Sequence, residues 1–152
     1  MSVTFRRATI RDLDTLVKME EASFSPEKYH HTPRRGFRYL IQKGNAEIWL
    51  VDMGGIICGS IVMFYRRNSN FGRMYSINVL PEYQGGVIGK ALFDRAEQAC
   101  IDKGCGGMSL EIRSDNLRHL QRYKNNGYAN YKEVDNYYPD EQSCIKLRRK
   151  FE

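Results

Sequence analysis

Apolar and polar positions alternate over residues 3–8, the period-two pattern of a half-buried strand. Thr9 follows with Asp12 three positions on, an N-cap with a first-turn carboxylate. Ile10, Leu13, Leu16, Val17 and Met19 then recur at helical spacing. Thr32-Pro33 is a second start signal, a cap followed by proline at the first helical position, for a short helix through Phe37, Leu40 and Ile41 that stops at Gly44. Residues 46–52 and 56–65 are β-rich runs joined by Met53-Gly54-Gly55, which predicts a hairpin. A further strand spans 73–80 and ends at Pro81. A helix over 86–103 carries Ile88, Leu92, Ala96 and Ala99 on one side and stops at Gly104. A strand at 108–113, a helix at 116–126 closed by Gly127, and strands at 128–134 and 143–149 complete the chain.

The order β-α-α-β-β-β-α-β-α-β-β puts hairpins early and βαβ crossovers late, which predicts an α/β (α+β) fold with a mixed sheet. At 152 residues, one domain over 1–152 is expected. Hydrophobic residues make up 41% and charged residues 28%, excluding a disordered or fibrous chain. The longest apolar stretch, 56–64, is interrupted by Cys58, Gly59 and Ser60, far short of the roughly 20 residues a membrane span needs. No apolar signal region follows Met1, so a cytoplasmic location is expected. The four cysteines form no CxxC pair and complete no metal-ligand spacing with the three histidines; they read as ordinary thiols in a reducing compartment, with no metal expected.

Chemistry concentrates first in a strand, a glycine-rich turn and a helix start: Ile77-Asn78-Val79-Leu80-Pro81, then Gln84-Gly85-Gly86-Val87-Ile88-Gly89-Lys90. Such a turn offers backbone N–H groups and the positive end of a helix dipole to a phosphate. The P-loop pattern fails, because only three residues separate Gly85 from Gly89 and Ala91 follows Lys90. The dinucleotide pattern fails as well, because Gly85, Gly86 and Gly89 do not spell G-x-G-x-x-G.

A second constellation is Leu110-Glu111-Ile112-Arg113-Ser114-Asp115-Asn116, followed by Tyr123 and Gly127-Tyr128. Glu111 lies in an apolar strand, where desolvation would raise its pKa toward neutrality, as a general base for an ammonium group requires. Tyr123 could give its proton to a leaving thiolate. Both also have plain structural readings, Glu111 on the exposed face of a half-buried strand and Tyr123 as a core aromatic.

Pro81, Gln84, Gly85 and Gly89 in this order resemble motif A of the GNAT N-acetyltransferases, Q/R-x-x-G-x-G/A. Leu-Glu-Ile-Arg, Asn, Tyr and Gly-Tyr, with Tyr137-Tyr138-Pro139-Asp140, resemble the RimI branch of that family, which acetylates the N-terminal α-amine of a ribosomal protein. The resemblance extends over nearly the whole chain. It implies a single-domain GNAT fold: a mostly antiparallel central sheet flanked by helices, with its fourth and fifth strands splayed. It also implies acetyl-coenzyme A as cofactor, held at the pyrophosphate by Gln84, Gly85, Gly86, Val87, Ile88, Gly89 and Lys90. Further implications are carbonyl contacts from the backbone of Ile77, Asn78 and Val79, a coenzyme A contact at Asn116, Glu111 as general base and Tyr123 as general acid. Val87 departs from the motif glycine. A helical φ is open to valine, but an isopropyl group beside the pyrophosphate predicts weaker cofactor affinity. The acceptor region departs too, with Phe24-Ser25-Pro26 and Glu27-Lys28-Tyr29-His30-His31 where RimI enzymes often carry Phe-Pro-Trp.

The net charge of +6 gathers in three clusters: Arg34, Arg35 and Arg38; Arg66-Arg67; and Lys146, Arg148, Arg149 and Lys150. These are either solvated faces or attractors of coenzyme A phosphates and a ribosome-associated substrate. No aromatic-interleaved RNA motif accompanies them, which disfavours direct nucleic-acid binding. Three readings follow: an acetyltransferase acting on a protein N-terminus, one acting on a small-molecule amine such as a polyamine, aminoglycoside or amino acid, and a coenzyme A-binding module without catalysis. The sequence alone does not give the oligomeric state.

Overall fold

The computed structural model describes residues 2–152. The strands are β1 (Val3–Arg7), β2 (Ala46–Met53), β3 (Ile56–Tyr65), β4 (Phe71–Val79), β5 (Gly107–Arg113), β6 (Ala129–Val134) and β7 (Cys144–Lys150). The helices are α1 (Leu13–Ser23), α2 (Arg34–Gln42), α3 (Ile88–Asp102) and α4 (Leu117–Asn125). The predicted order of elements is the observed one. The strands form one seven-stranded sheet in the order β1-β2-β3-β4-β5-β7-β6. Every neighbouring pair is antiparallel except β4 and β5, which the crossover through α3 makes parallel.

Local signals explain most boundaries. Thr9 and Asp12 form a capping box, and its first turn (Ile10–Asp12) is a 3-10 helix that leads into α1. Arg6 braces the box with a two-pronged hydrogen bond to Asp12. The start of α2 differs from expectation: Pro33, not Thr32, is the N-cap residue. The Thr32 amide is turned away, donating to the Glu20 carboxylate at 2.7 Å.

The sheet buries apolar residues on both faces. On one, α1 and α2 contribute Leu13, Leu16 and Phe37 against Ile48, Leu50 and Val62. On the other, Ile88, Leu92 and Ala96 of α3 pack with Ile61, Met63, Met108, Leu110 and Leu147. Each mostly buried Leu or Ile side chain contributes about 1.5–3 kcal/mol of transfer free energy. The α1/α2 face stays open at the far edge, where residues 129–133 of β6 are all exposed.

One irregularity shapes the centre. Val62 pairs with Ser76 and Met63 with Met74, so Tyr75 is an extra residue in β4 with no partner on β3. A bulge of this kind bends its strand and increases the local twist. Pairing of β4 with β5 runs from Phe71 with Gly107 to Met74 with Leu110, stopping where the bulge begins. Past it, β4 turns away and the two strands separate, the splay that the family resemblance implies.

Candidate functional site

The splay leaves the β5-facing edge of β4 beyond Met74 without a strand partner, so Ile77 and Val79 present backbone groups to the opening, whereas Asn78, contrary to expectation, turns its backbone groups to Ser60 of β3. The Asn78 side chain is buried and its Oδ1 lacks a hydrogen-bond partner among the described residues.

The chain then makes a 3-10 turn at Pro81–Tyr83 and enters α3. Gly85 has φ +81, a left-handed conformation that favours glycine. Gln84 does not reach outward: its side-chain amide donates to the Val79 carbonyl at 2.9 Å and ties the turn to the end of β4. Ala91 is the first residue after the turn whose amide returns to a backbone carbonyl, that of Val87. Among the described residues the amides of 85–90 make no such bond, and no side chain caps α3. Six successive donors at the positive end of a 15-residue helix fit a pyrophosphate. Val87 is helical at φ −84, so its position needs no glycine for conformation, and its side chain is 70% exposed. Lys90 is committed elsewhere, to Asp94 one turn on at 2.8 Å, which leaves the backbone as the turn's principal donor set.

Glu111 is the first β5 residue beyond the last one paired to β4. Strand alternation turns Leu110 and Ile112 toward α3 and Glu111 to the α1/α2 face, where its side chain is 8% exposed. Buried as expected, it nevertheless has polar neighbours rather than apolar ones. Arg73 of β4 contacts Oε1, Lys146 of β7 stands 3.6 Å from the same oxygen, and the Tyr137 hydroxyl donates to Oε2 at 2.6 Å. Burial, with this bond second, holds the Tyr137 phenol above its usual range.

Tyr123 of α4 lies on the opposite face, stacked on Phe93 of α3 at 5.4 Å between ring centres and edge-on to Tyr128. Burial pushes its phenol up to about 12, so it is protonated at neutral pH. Asn116 caps α4, accepting from the His119 amide at 3.4 Å. Glu111 and Tyr123 therefore lie on opposite faces of the sheet.

Sequence reasoning missed the groups that organise the α1/α2 face. Arg113, 4% exposed, forks onto Asp115 and Asp140 and donates to the Lys28 carbonyl at 2.8 Å. Its guanidinium also lies over the rings of Tyr29 and Tyr138. It thus fastens the end of β5 to the α1–α2 segment and to the β6–β7 loop. Tyr75, the bulge residue, stacks on Phe64 at 4.6 Å. The advance signals were Leu-Glu-Ile-Arg, which contains Arg113, and Tyr-Tyr-Pro-Asp, which contains Asp140, and neither shows what these side chains touch.

Comparison with known proteins agrees with this fold. The family model for the GNAT family of acetyltransferases matches residues 13–128. A proposed ribosomal protein bS18-alanine N-acetyltransferase of Bacillus subtilis (strain 168) is 25% identical over 135 residues, 89% of this chain and 86% of that one. Other curated acetyltransferases match over a shorter span, and the aligned segment covers only about half of their length, 54% and 57%. Among solved structures, the Escherichia coli ribosomal-protein-S18-alanine N-acetyltransferase superposes with a TM-score of 0.86 at 18% identity, covering 99% of this chain and 94% of that one. PaiA N-acetyltransferase of Thermoplasma acidophilum, solved with coenzyme A, gives 0.81 at 19% identity and covers 99% and 100%. The co-substrate of the matched family is acetyl-coenzyme A. The chain belongs to the GNAT acetyltransferase family.

Proposed function

We propose that this chain is an acetyl-coenzyme A-dependent N-acetyltransferase whose acceptor is a primary amine, with the N-terminal α-amine of a protein favoured. The observation that carries the reading is the end of β4–β5 pairing at Met74 and Leu110. That break frees the edge of β4 next to the Glu111 position on β5, and the freed strand leads into the turn whose amides at 85–90 are unpaired.

Bound acetyl-coenzyme A supplies a thioester carbonyl, activated toward attack by an amine. The amides of residues 85–90 would hold its pyrophosphate, and Asn116 at the start of α4 would add a further contact. Backbone donors on the edge at Ile77 and Val79 would face the carbonyl oxygen, where negative charge develops. Glu111 takes a proton from the acceptor ammonium at its carboxylate, which Tyr137 and Arg73 keep oriented. Tyr123 returns a proton from its hydroxyl to the departing sulfur. The two proton carriers work from opposite faces, so acceptor and cofactor need not share an entrance.

A protein acceptor is supported by the names of the Bacillus subtilis and Escherichia coli proteins and by the groove that Glu111 lines. All four cysteines are free thiols, consistent with a cytoplasmic enzyme. No helix among the described residues is long and apolar enough to cross a membrane.

The test is thiol release from acetyl-coenzyme A with panels of N-terminal peptides and small amines, repeated with Glu111→Gln and Tyr123→Phe. Each variant is expected to lose about 10²–10⁴-fold in kcat while keeping its fold. Full activity in both would refute the roles assigned. Absence of turnover on every acceptor, with no coenzyme A binding by calorimetry, would refute the function.

A further inference from the structure

We propose that the acceptor is acidic: an extended polypeptide N-terminus carrying aspartate or glutamate at its second or third residue, read by a cationic groove leading away from Glu111. The inference rests on the acetyl-transfer reading above. The groove has a volume of about 320 Å³ and follows β4, β5 and β7 toward the β3–β4 turn. Its lining includes Arg66, Arg73, Ser109, Tyr131 and Lys146, and Glu111 is its one carboxylate. Arg148 stands at the rim, its guanidinium 4.6 Å from the Tyr131 ring centre and 5.3 Å from that of Phe71.

These cations differ in how they are engaged. Arg73 and Lys146 face Glu111. Arg66 and Arg148 make no ion pair among the described residues, and both are exposed. Two unmatched cations along the path of an acceptor call for an anion on that acceptor.

The strand register gives the spacing. Lys146 lies opposite Glu111 and Arg148 opposite Ser109, two residues farther along. Two strand residues advance about 7 Å. An extended chain with its amine at Glu111 therefore brings the side chain of its second or third residue to Arg148, roughly 3–7 Å along the groove. A lysine there would meet cations only, and an uncharged residue would leave them unmatched.

The test compares initial rates of acetyl transfer by the full chain to peptides identical except at residues two and three, which are acidic, the matching amides, or lysine. Free glutamate and spermidine serve as small-molecule arms. The acidic peptide is expected to exceed its amide at least tenfold in kcat/KM, and the lysine peptide by more. The advantage should shrink at high salt, as a screened interaction does. In Arg66→Glu and Arg148→Glu the acid-to-amide ratio should fall toward one. Arg66 lies on an exposed turn, so its variant keeps the test valid if Arg148→Glu fails to fold.

Equal rates on all three peptides, a faster lysine peptide, or an undiminished ratio in the folded variants would overturn the inference. Faster turnover of free glutamate than of the acidic peptide would overturn its polypeptide part. In each case the acetyl-transfer reading would stand. Absence of turnover on every acceptor would overturn both.

Discussion

Arg113 joins three segments that lie far apart in the chain, and replacing it with methionine tests how much of the site depends on that junction. Methionine keeps aliphatic bulk against Tyr29 and Tyr138 but removes the fork to Asp115 and Asp140 and the bond to the Lys28 carbonyl. Removing one partner of a buried ion pair costs about 3–5 kcal/mol. Here the two carboxylates left behind are 47% and 33% exposed and can rehydrate, which places the loss near the lower end, at about 3 kcal/mol. For a domain of this size that corresponds to a fall in Tm of roughly 6–12 °C. The Arg113 guanidinium holds both carboxyls below the ordinary range. Carboxylates with depressed folded values contribute stability above their unfolded pKa, near 4, and lose it as pH falls through the folded values. The gap between wild type and Arg113→Met should therefore be full at pH 7 and narrow below about pH 4. Thermal unfolding by circular dichroism across this range is the assay. A fall of less than 2 °C at pH 7, or a gap constant down to pH 3, would refute the reasoning. On the proposed reading, with the acceptor on the α1/α2 face that these two segments border, KM for the acceptor should rise more than Kd for coenzyme A.

Three other expectations concern the frame around the site. Gly72 of β4 packs so closely on Cys100 of α3 that an added Cβ would collide with its sulfur. Gly72→Ala should cost about 1–3 kcal/mol by overpacking, and Gly72→Ala/Cys100→Gly should recover part of it in a denaturant-unfolding cycle. Gly85→Ala forces a side chain into φ +81 and should cost roughly 1–2 kcal/mol locally, read as weaker coenzyme A binding by calorimetry; unchanged affinity would remove the turn from the binding site. Burial pushes the Cys100 thiol up to about 12, so it should resist iodoacetamide at pH 8 until the protein unfolds, as peptide mass spectrometry would show.

Features governed by a few neighbouring residues were legible in the chain. Thr9 with Asp12 announces the capping box, and Ile88, Leu92 and Ala96 announce the buried side of α3. Gly85 and Gly89 mark the turn, and the flanking of Glu111 by Leu110 and Ile112 marks an inward-and-outward strand. Thr32 was misread as a cap because its amide partner, Glu20, belongs to a different helix. The polar surroundings of Glu111 were likewise invisible, since Arg73, Tyr137 and Lys146 come from three other segments.

The sequence by itself determined the order of the elements, the unpaired donors at the start of α3 and the presence of one carboxylate in an apolar strand. These depend on backbone sterics, helix ends and side-chain periodicity within a few residues. Only the tertiary structure decided that Tyr75 is a bulge and that β4 leaves β5 beyond Met74. It also decided that Arg66 and Arg148, more than eighty residues apart in the chain, border one groove. Strand register is a property of pairs of strands, and a one-residue slip changes the face of every side chain beyond it.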